Sequence, residues 1–182
     1  VAGVTLPSTP LQILWINMTT AVLLGLPLAF EPKEHAVMHR PPRPPAAPIL
    51  DRVLITRILL VGVLMLAGAF GLFLLALERG QSLAEARSIA VNVFVMIELV
   101  YLFNCRSLAR PLWRVAPFSN LWVWGGAATM LLLQLAFTYL PLFQQVFGTA
   151  AIGWQAWGEI ALVAIGAMLV IEGEKALRRE RR

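Results

Sequence analysis

Five long apolar stretches, separated by polar or proline-rich segments, dominate the chain. They run over residues 11–30, 53–77, 88–105, 121–140 and 154–171. Each is close to the roughly 20 residues that a helix needs to cross the hydrocarbon core of a bilayer. A helix is the expected form, because lipid offers no partners to open backbone N–H and C=O groups. The pattern therefore predicts an all-α, polytopic membrane protein with five transmembrane helices in contact with the lipid bilayer.

The composition agrees with this class and excludes three others. Of the 182 residues, 59% are hydrophobic and only 14% are charged, whereas about 25% are charged in ordinary soluble domains. A single soluble core of this size would not hide so much apolar surface. Intrinsic disorder requires a polar, highly charged chain, and a disulfide scaffold requires more cysteines than the single Cys105.

The segments between the apolar stretches differ in composition. Residues 31–52 contain six prolines, which predicts an extended and partly polyproline loop. Residues 78–87 form a short connection with Gly80 as a helix breaker. Residues 141–153 carry no charge, and residues 172–182 form a strongly basic tail.

The basic residues predict how the helices are oriented. Of the 15 lysines and arginines, 13 lie in segments 31–52, 106–120 and 172–182 or at Arg57, at the start of the second stretch. Such residues accumulate on the cytoplasmic side of a membrane. The chain is therefore predicted to begin outside and to end in the cytoplasm, with the plasma membrane as its expected location. The net charge of +5 is then explained by the orientation of the helices in the membrane and does not indicate a nucleic-acid partner.

Glu98 is the most conspicuous polar residue within an apolar stretch, about ten residues into the third one. A carboxylate at this depth costs about 2.5 to 3.5 kcal/mol. We therefore expect Glu98 to face a bundle interior or a wet cavity and to have a partner. It either binds a cation or a proton, or it makes a structural hydrogen bond as a protonated acid.

A second polar cluster lies in the first stretch, where Asn17, Thr20 and Ala21 share one helix face. Amide and hydroxyl oxygens suit hard cations such as Ca²⁺, Na⁺ or K⁺. Pro27 follows and breaks a helical hydrogen bond, and broken helices often line substrate sites in transporters. The alternative is that Asn17 and Thr20 only join helices through hydrogen bonds.

The remaining candidates are weaker, and no residue is predicted to be catalytic. No glycine-rich phosphate loop is present, and Cys105 and the two histidines lack a metal-binding pattern. Five further intramembrane polar residues are secondary candidates: Asn92, Tyr101, Asn104, Gln134 and Thr138. Close helix packing is expected at the small residues within the stretches: Gly62, Gly68, Gly71, Gly125, Gly126 and Gly166.

The run PLQILWINMTT (residues 10–20) resembles the sixth transmembrane helix of one family, the P-type cation-transporting ATPases of the calcium-pump and sodium-pump branch. Residues 30–32 (FEP) and 38–43 (MHRPPR) resemble its loop between the sixth and seventh helices, and Ile97-Glu98 resembles its eighth helix. The resemblance covers nearly the whole chain and implies that it holds helices six to ten.

The resemblance implies a function as well as a fold. Asn17, Thr20 and Glu98 match cation ligands of the family, so the chain is expected to supply part of a transmembrane cation site. Ala21 departs from the pattern, because an aspartate is usual there. The missing charge leaves the cation open, since affinity for a divalent ion depends on the charge of its ligands.

The family's phosphorylated aspartate and nucleotide domain have no counterpart in this sequence. The resemblance therefore implies that ATP and Mg²⁺ bind elsewhere in a full-length pump, and that the chain alone is not catalytic and holds no cofactor. The expected partners are upstream transmembrane helices, the cytoplasmic domains of the same pump and the transported cation.

Two alternatives remain at this point. The chain begins with Val1 and has an odd number of predicted spans, so we expect a piece of a longer protein. A free-standing helical membrane protein or accessory subunit is the first alternative. A secondary ion transporter is the second, although the two halves show no convincing similarity.

Overall fold

The structure, a computed structural model, describes residues 5–32, 50–106, 116 and 118–180. Within these ranges the chain forms six α-helices and no β-strand. The helices are α1 (Pro10–Thr20), α2 (Arg52–Glu78), α3 (Leu83–Cys105), α4 (Leu121–Tyr139), α5 (Pro141–Phe147) and α6 (Trp154–Glu180). Helix α1 continues into a π-helix (Ala21–Gly25) and a 3₁₀-helix (Leu26–Phe30). The all-α prediction is therefore confirmed.

Four helical segments of the described residues are long and apolar enough to cross a membrane. They are Pro10–Phe30, Arg52–Glu78, Leu83–Cys105 and Leu121–Tyr139, and they coincide with the first four apolar stretches. The fifth stretch lies within α6, and its membrane crossing stays a prediction. Most of the proline-rich loop 31–52, including both histidines, lies outside the described residues.

Several elements differ from the sequence-based prediction, and α6 runs to Glu180, beyond the predicted end of the fifth stretch at residue 171. Helix α3 begins at Leu83, before its apolar run, because Ser82 and Glu85 form a capping box at its start. The uncharged segment 141–153 contains the short helix α5, which starts with Pro141 and ends at Gly148 in a left-handed conformation (φ 63°). A seven-residue helix is too short to produce a readable apolar period.

Helix α3 is the centre of the bundle. Over 18 residues of this span, 61% of the residues are buried, against 17% in each of the first two spans. One face packs against α2 and α6 in a core that includes Phe73, Ala90 and Ile160. The other face packs against α1 and α4 around Val91 and Met130. A polar residue on α3 is therefore held between helices on both sides.

Two of the six glycines that were predicted to allow close helix packing do so. The prediction is wrong for the other four, because an added Cβ atom meets no atom of the described residues within 4 Å at Gly62, Gly71, Gly125 and Gly166. A Cβ atom added to Gly68 of α2 would lie 2.6 Å from a methyl group of Val163 on α6. A Cβ atom added to Gly126 of α4 would lie 2.0 Å from the backbone oxygen of Leu23. The π-helix after α1 thus packs directly against the backbone of α4.

Candidate cation-binding site

The first span departs from regular α-helical geometry directly after the predicted ligands. Helix α1 ends at Thr20, and the amide of Ala21 shares its hydrogen bond between the carbonyls of Asn17 and Met18. The π-helix begins at Ala21, and π-helical insertions occur frequently at functional sites. Pro27 was expected to break the helix, and the irregular geometry begins a full turn earlier than the proline alone requires.

Thr20 and Glu98 meet at the contact between α1 and α3. The Thr20 hydroxyl donates a 2.8 Å hydrogen bond to the carbonyl of Ile16. The same hydroxyl lies beside the Glu98 carboxyl. Two of the three residues singled out from the sequence therefore lie together in the structure.

The second carboxyl oxygen of Glu98 has no hydrogen-bond partner. This atom, Oε2, is buried, and no described residue donates to it. A buried carboxylate oxygen without a partner is costly, because the water it loses is not replaced. The site is thus chemically incomplete within the described residues and would accept a cation, a proton or another donor.

Asn17 and Ala21 do not join this contact. Both are exposed in the first span, and the Asn17 side chain makes no hydrogen bond to another described residue. Asn17 precedes Thr20 by almost one helical turn, so both belong to the same face of α1. The exposed part of this face is open to helices outside the chain.

The secondary polar candidates have structural hydrogen bonds. Asn92 donates from Nδ2 to the carbonyl of Ser88 at 2.8 Å and to the Thr138 hydroxyl at 3.1 Å. Gln134 accepts a 3.4 Å bond from the indole of Trp15. These bonds join α3 to α4 and α1 to α4, as expected for polar groups that link helices in a membrane.

Sequence reasoning missed two polar contacts that hold the ends of the bundle. Gln12 is fully buried and donates from Nε2 to the carbonyl of Phe147 at 2.9 Å, which fixes α1 to α5. Its position three residues after the N-cap Thr9 was the available signal, since the two form a capping box. Arg106 and Glu31 form the second contact, a 3.0 Å ion pair between the ends of α3 and the first span.

A third polar cluster joins α3 to the last turns of α6. Lys175 donates to the carbonyl of Asn104 at 3.0 Å and pairs with Glu172 at 3.1 Å. Burial lowers the pKa of Lys175, and the bond to Glu172 opposes that change. Arg57 of α2 pairs with Glu174 at 3.5 Å close by. Part of the predicted basic tail is thus packed into the bundle.

The described residues do not bring together three or more His, Cys, Asp or Glu side chains that would hold a metal ion. A cation at Glu98 would therefore need neutral oxygens of the described residues or ligands from elsewhere in the protein. Asn17, Thr20 and Glu98 have that chemistry, and their role as ligands stays a prediction.

Fold and polar contacts together define a polytopic helical membrane protein with an incomplete polar site between its first and third spans. The family model "Cation transporting ATPase, C-terminus" matches residues 5–177, and the chain belongs to this family.

Named relatives agree with the family assignment. The chain is 49% identical over 98% of its length to "Probable cation-transporting ATPase F" of Mycobacterium tuberculosis. It is 34% identical over 84% of its length to "Calcium-transporting ATPase" of Bacillus subtilis, and 33% identical over 84% to "Cation-transporting ATPase pma1" of Synechocystis. The chain spans about a fifth of the length of these relatives, 20%, 17% and 18% respectively.

Proposed function

We propose that the chain is the C-terminal membrane region of an ATP-driven P-type cation pump, in which Asn17, Thr20 and Glu98 supply part of the transmembrane cation site. Family membership supports the pump, because several relatives are named as cation-transporting or calcium-transporting ATPases. The neutral oxygens of Asn17 and Thr20 would bind the ion directly. Glu98 would act as a charged ligand or as a proton carrier.

The observation that carries this proposal is the contact between Thr20 and Glu98. A carboxyl group in the middle of a span is costly, so such groups are rare in membrane helices and commonly mark functional sites. Here one carboxyl oxygen meets a hydroxyl on a helix that leaves α-geometry at the next residue, and the other oxygen is buried without a partner. A cation between Glu98 and Thr20 would satisfy both groups.

The absence of a charge at Ala21 limits what can be proposed about the ion. With Glu98 as the acidic member of the predicted set, the site is poorer in charge than sites that bind divalent ions tightly. We therefore propose a hard cation bound by oxygen ligands and leave its identity to assay. Exposed Asn17 would complete the site together with helices upstream of the chain.

The remaining expectations concern the whole pump. ATP and Mg²⁺ would act in cytoplasmic domains that this chain does not contain. Movements of those domains would switch the membrane site between access from the cytoplasm and access from the outside. The loop 31–52 would contact the phosphorylation domain. The distribution of basic residues supports an N-terminus outside, a C-terminus in the cytoplasm and a location in the plasma membrane.

The test is Glu98→Gln in the full-length pump, with Glu78→Gln as the matched control. Both variants replace one carboxylate by an amide of the same shape, but Glu78 is exposed at the end of α2. ATPase activity should be measured against Ca²⁺, Na⁺, K⁺ and Mg²⁺ and across pH. We expect Glu98→Gln to lower the apparent affinity for the activating cation by roughly tenfold or more, which corresponds to about 1.4 kcal/mol.

The control should keep the cation affinity of the unmodified pump. If Glu98→Gln also keeps it for every cation tested, while the protein is folded, Glu98 is structural and the proposed ligand set is wrong. If no cation stimulates ATP hydrolysis by the unmodified full-length protein, the proposal that it is a cation pump is wrong.

A further inference from the structure

A second polar site lies at the other end of the domain, where α2 ends and α6 begins. An open cavity of about 420 Å³ is lined there by residues of both helices and of the connection that follows α2. Its volume falls within the range of small-ligand sites, about 300 to 1,000 Å³. It is separate from Thr20 and Glu98, neither of which lines it.

The cavity presents one positive and one negative group side by side. Arg79 and Glu159 both line it and form a 2.7 Å ion pair between Nη1 and Oε1. The guanidinium has five N–H donors, so one bond to Glu159 leaves others for a phosphate. The two charges are therefore complementary to a ligand that carries an anionic and a cationic group close together.

Gln81 adds an acceptor that lacks a donor. It lines the same cavity, and its Oε1 atom is buried without a hydrogen-bond partner among the described residues. A primary ammonium group has three N–H donors. It would satisfy Gln81 and Glu159 together, which a quaternary ammonium group without N–H donors would not do.

The cavity also borders an apolar surface of α6. Leu162 lines it and is 70% exposed. Ile165 and Leu169 follow at helical spacing and are also exposed, so the three side chains form one stripe along α6. Trp154, at the start of α6, is 82% exposed, as is typical of tryptophans at the level of lipid headgroups.

We propose that this cavity binds the headgroup of an aminophospholipid, a phosphatidylethanolamine. Arg79 holds the phosphate, Glu159 and Gln81 accept hydrogen bonds from the ammonium group, and an acyl chain lies along the stripe of Leu162, Ile165 and Leu169. The lipid occupies the leaflet at which α2 ends and α6 begins. The proposal does not depend on the cation site or on pump activity.

The test uses two exposed glycines whose substitution does not disturb packing. Gly158 lines the cavity, and a Cβ atom added to it meets no atom within 4 Å. Gly158→Leu would therefore fill the cavity while the helix contacts stay intact. Gly62 of α2 has the same free space around an added Cβ atom but lies outside both the cavity and the stripe on α6, so Gly62→Leu is the matched control.

The full-length protein should be purified in detergent, stripped of lipid and titrated with dioleoyl phosphatidylethanolamine, phosphatidylcholine or phosphatidylglycerol. The thermal unfolding temperature is the readout, because a ligand that binds the folded state raises it. We expect phosphatidylethanolamine to raise it more than the other two lipids. Gly158→Leu should abolish this difference, and Gly62→Leu should keep it.

Two charge variants test which side chain binds the ammonium group and which binds the phosphate. They also keep the proposal testable if Gly158→Leu does not fold. Glu159→Gln should weaken the apparent affinity for phosphatidylethanolamine about tenfold, which is the loss expected for one charge-assisted hydrogen bond. Arg79→Gln should weaken binding of all three lipids. Equal stabilisation by the three lipids, or undiminished preference for phosphatidylethanolamine in Gly158→Leu or Glu159→Gln, would overturn the proposal.

Discussion

At the scale of single residues, the hydrogen atoms around Glu98 limit what can bind there. Thr20 has one hydroxyl hydrogen, and it points to the carbonyl of Ile16 at 2.8 Å. Towards Glu98 the hydroxyl therefore offers a lone pair. An oxygen lone pair next to a carboxyl group suits a cation or a proton between them, which supports the role proposed for both residues.

Ala21 gives the first prediction at this scale. It is exposed at the start of the π-helix, beside Thr20, so Ala21→Asp adds a carboxylate next to the proposed site without a clash among the described residues. Because affinity for Ca²⁺ rises with the charge of its ligands, we expect the Ca²⁺ concentration for half-maximal ATPase activity of the full-length pump to fall roughly tenfold. Ala29→Asp, also exposed in the first span, should leave it unchanged. An unaltered Ca²⁺ response in Ala21→Asp would place residue 21 outside the site.

At the scale of secondary-structure elements, Gly126 sets how closely the first span approaches α4. Pro27 has no amide hydrogen for the carbonyl of Leu23, four residues earlier. That carbonyl lies against Gly126, where a Cβ atom would be only 2.0 Å away. The ring of Pro27 lies 3.0 Å from the same Cβ position. The irregular backbone next to the proposed cation site therefore depends on the close approach to α4 that Gly126 allows.

Gly126→Ala and its neighbour Gly125→Ala test this contact. The new methyl group at residue 126 would push the first span away from α4, and such overpacking costs about 1 to 3 kcal/mol. An added Cβ atom at Gly125 meets no atom within 4 Å, so Gly125→Ala should be neutral or stabilise the helix by up to about 1 kcal/mol. Unfolding of both variants in detergent would measure the difference. Equal stabilities would show that the first span does not need this approach.

These elements also show what could be predicted from the sequence. The apolar runs located the helices because membrane helices need length and hydrophobicity more than any local signal. They missed the start of α3, which is set by the polar capping box of Ser82 and Glu85. Pro27 indicated a break in the first span, but the π-helix at Ala21 depends on packing against α4. Glu98 was conspicuous because placing a carboxyl group inside a membrane costs free energy. Its contact with Thr20 could not be predicted, because it depends on the register of α1 against α3, which no residue pattern specifies.

At the scale of the whole molecule, polar contacts join the helices at their ends, whereas the apolar core joins them along their length. Arg106, at the end of α3, bonds both carboxyl oxygens of Glu31 at 3.0 to 3.2 Å. Asn120, which caps α4, donates to Glu31 and to the carbonyl of Pro27 at 3.0 Å each. One carboxylate thus connects the first span, α3 and α4 at the end of the bundle that is predicted to be cytoplasmic.

Glu31 is therefore expected to control the stability of the whole bundle. Glu31→Ala would leave the buried guanidinium of Arg106 without its carboxylate, and removal of one partner from a buried pair costs about 3 to 5 kcal/mol. The double variant Glu31→Leu with Arg106→Met removes both charges and should recover most of this loss, since a buried pair is often no more stabilising than apolar side chains of similar volume. Glu78→Ala, at an exposed site, should change stability by no more than about 0.5 kcal/mol. The measurement is detergent-solubilised unfolding of the four proteins side by side, and a Glu31→Ala variant as stable as Glu78→Ala would contradict the assigned role of Glu31.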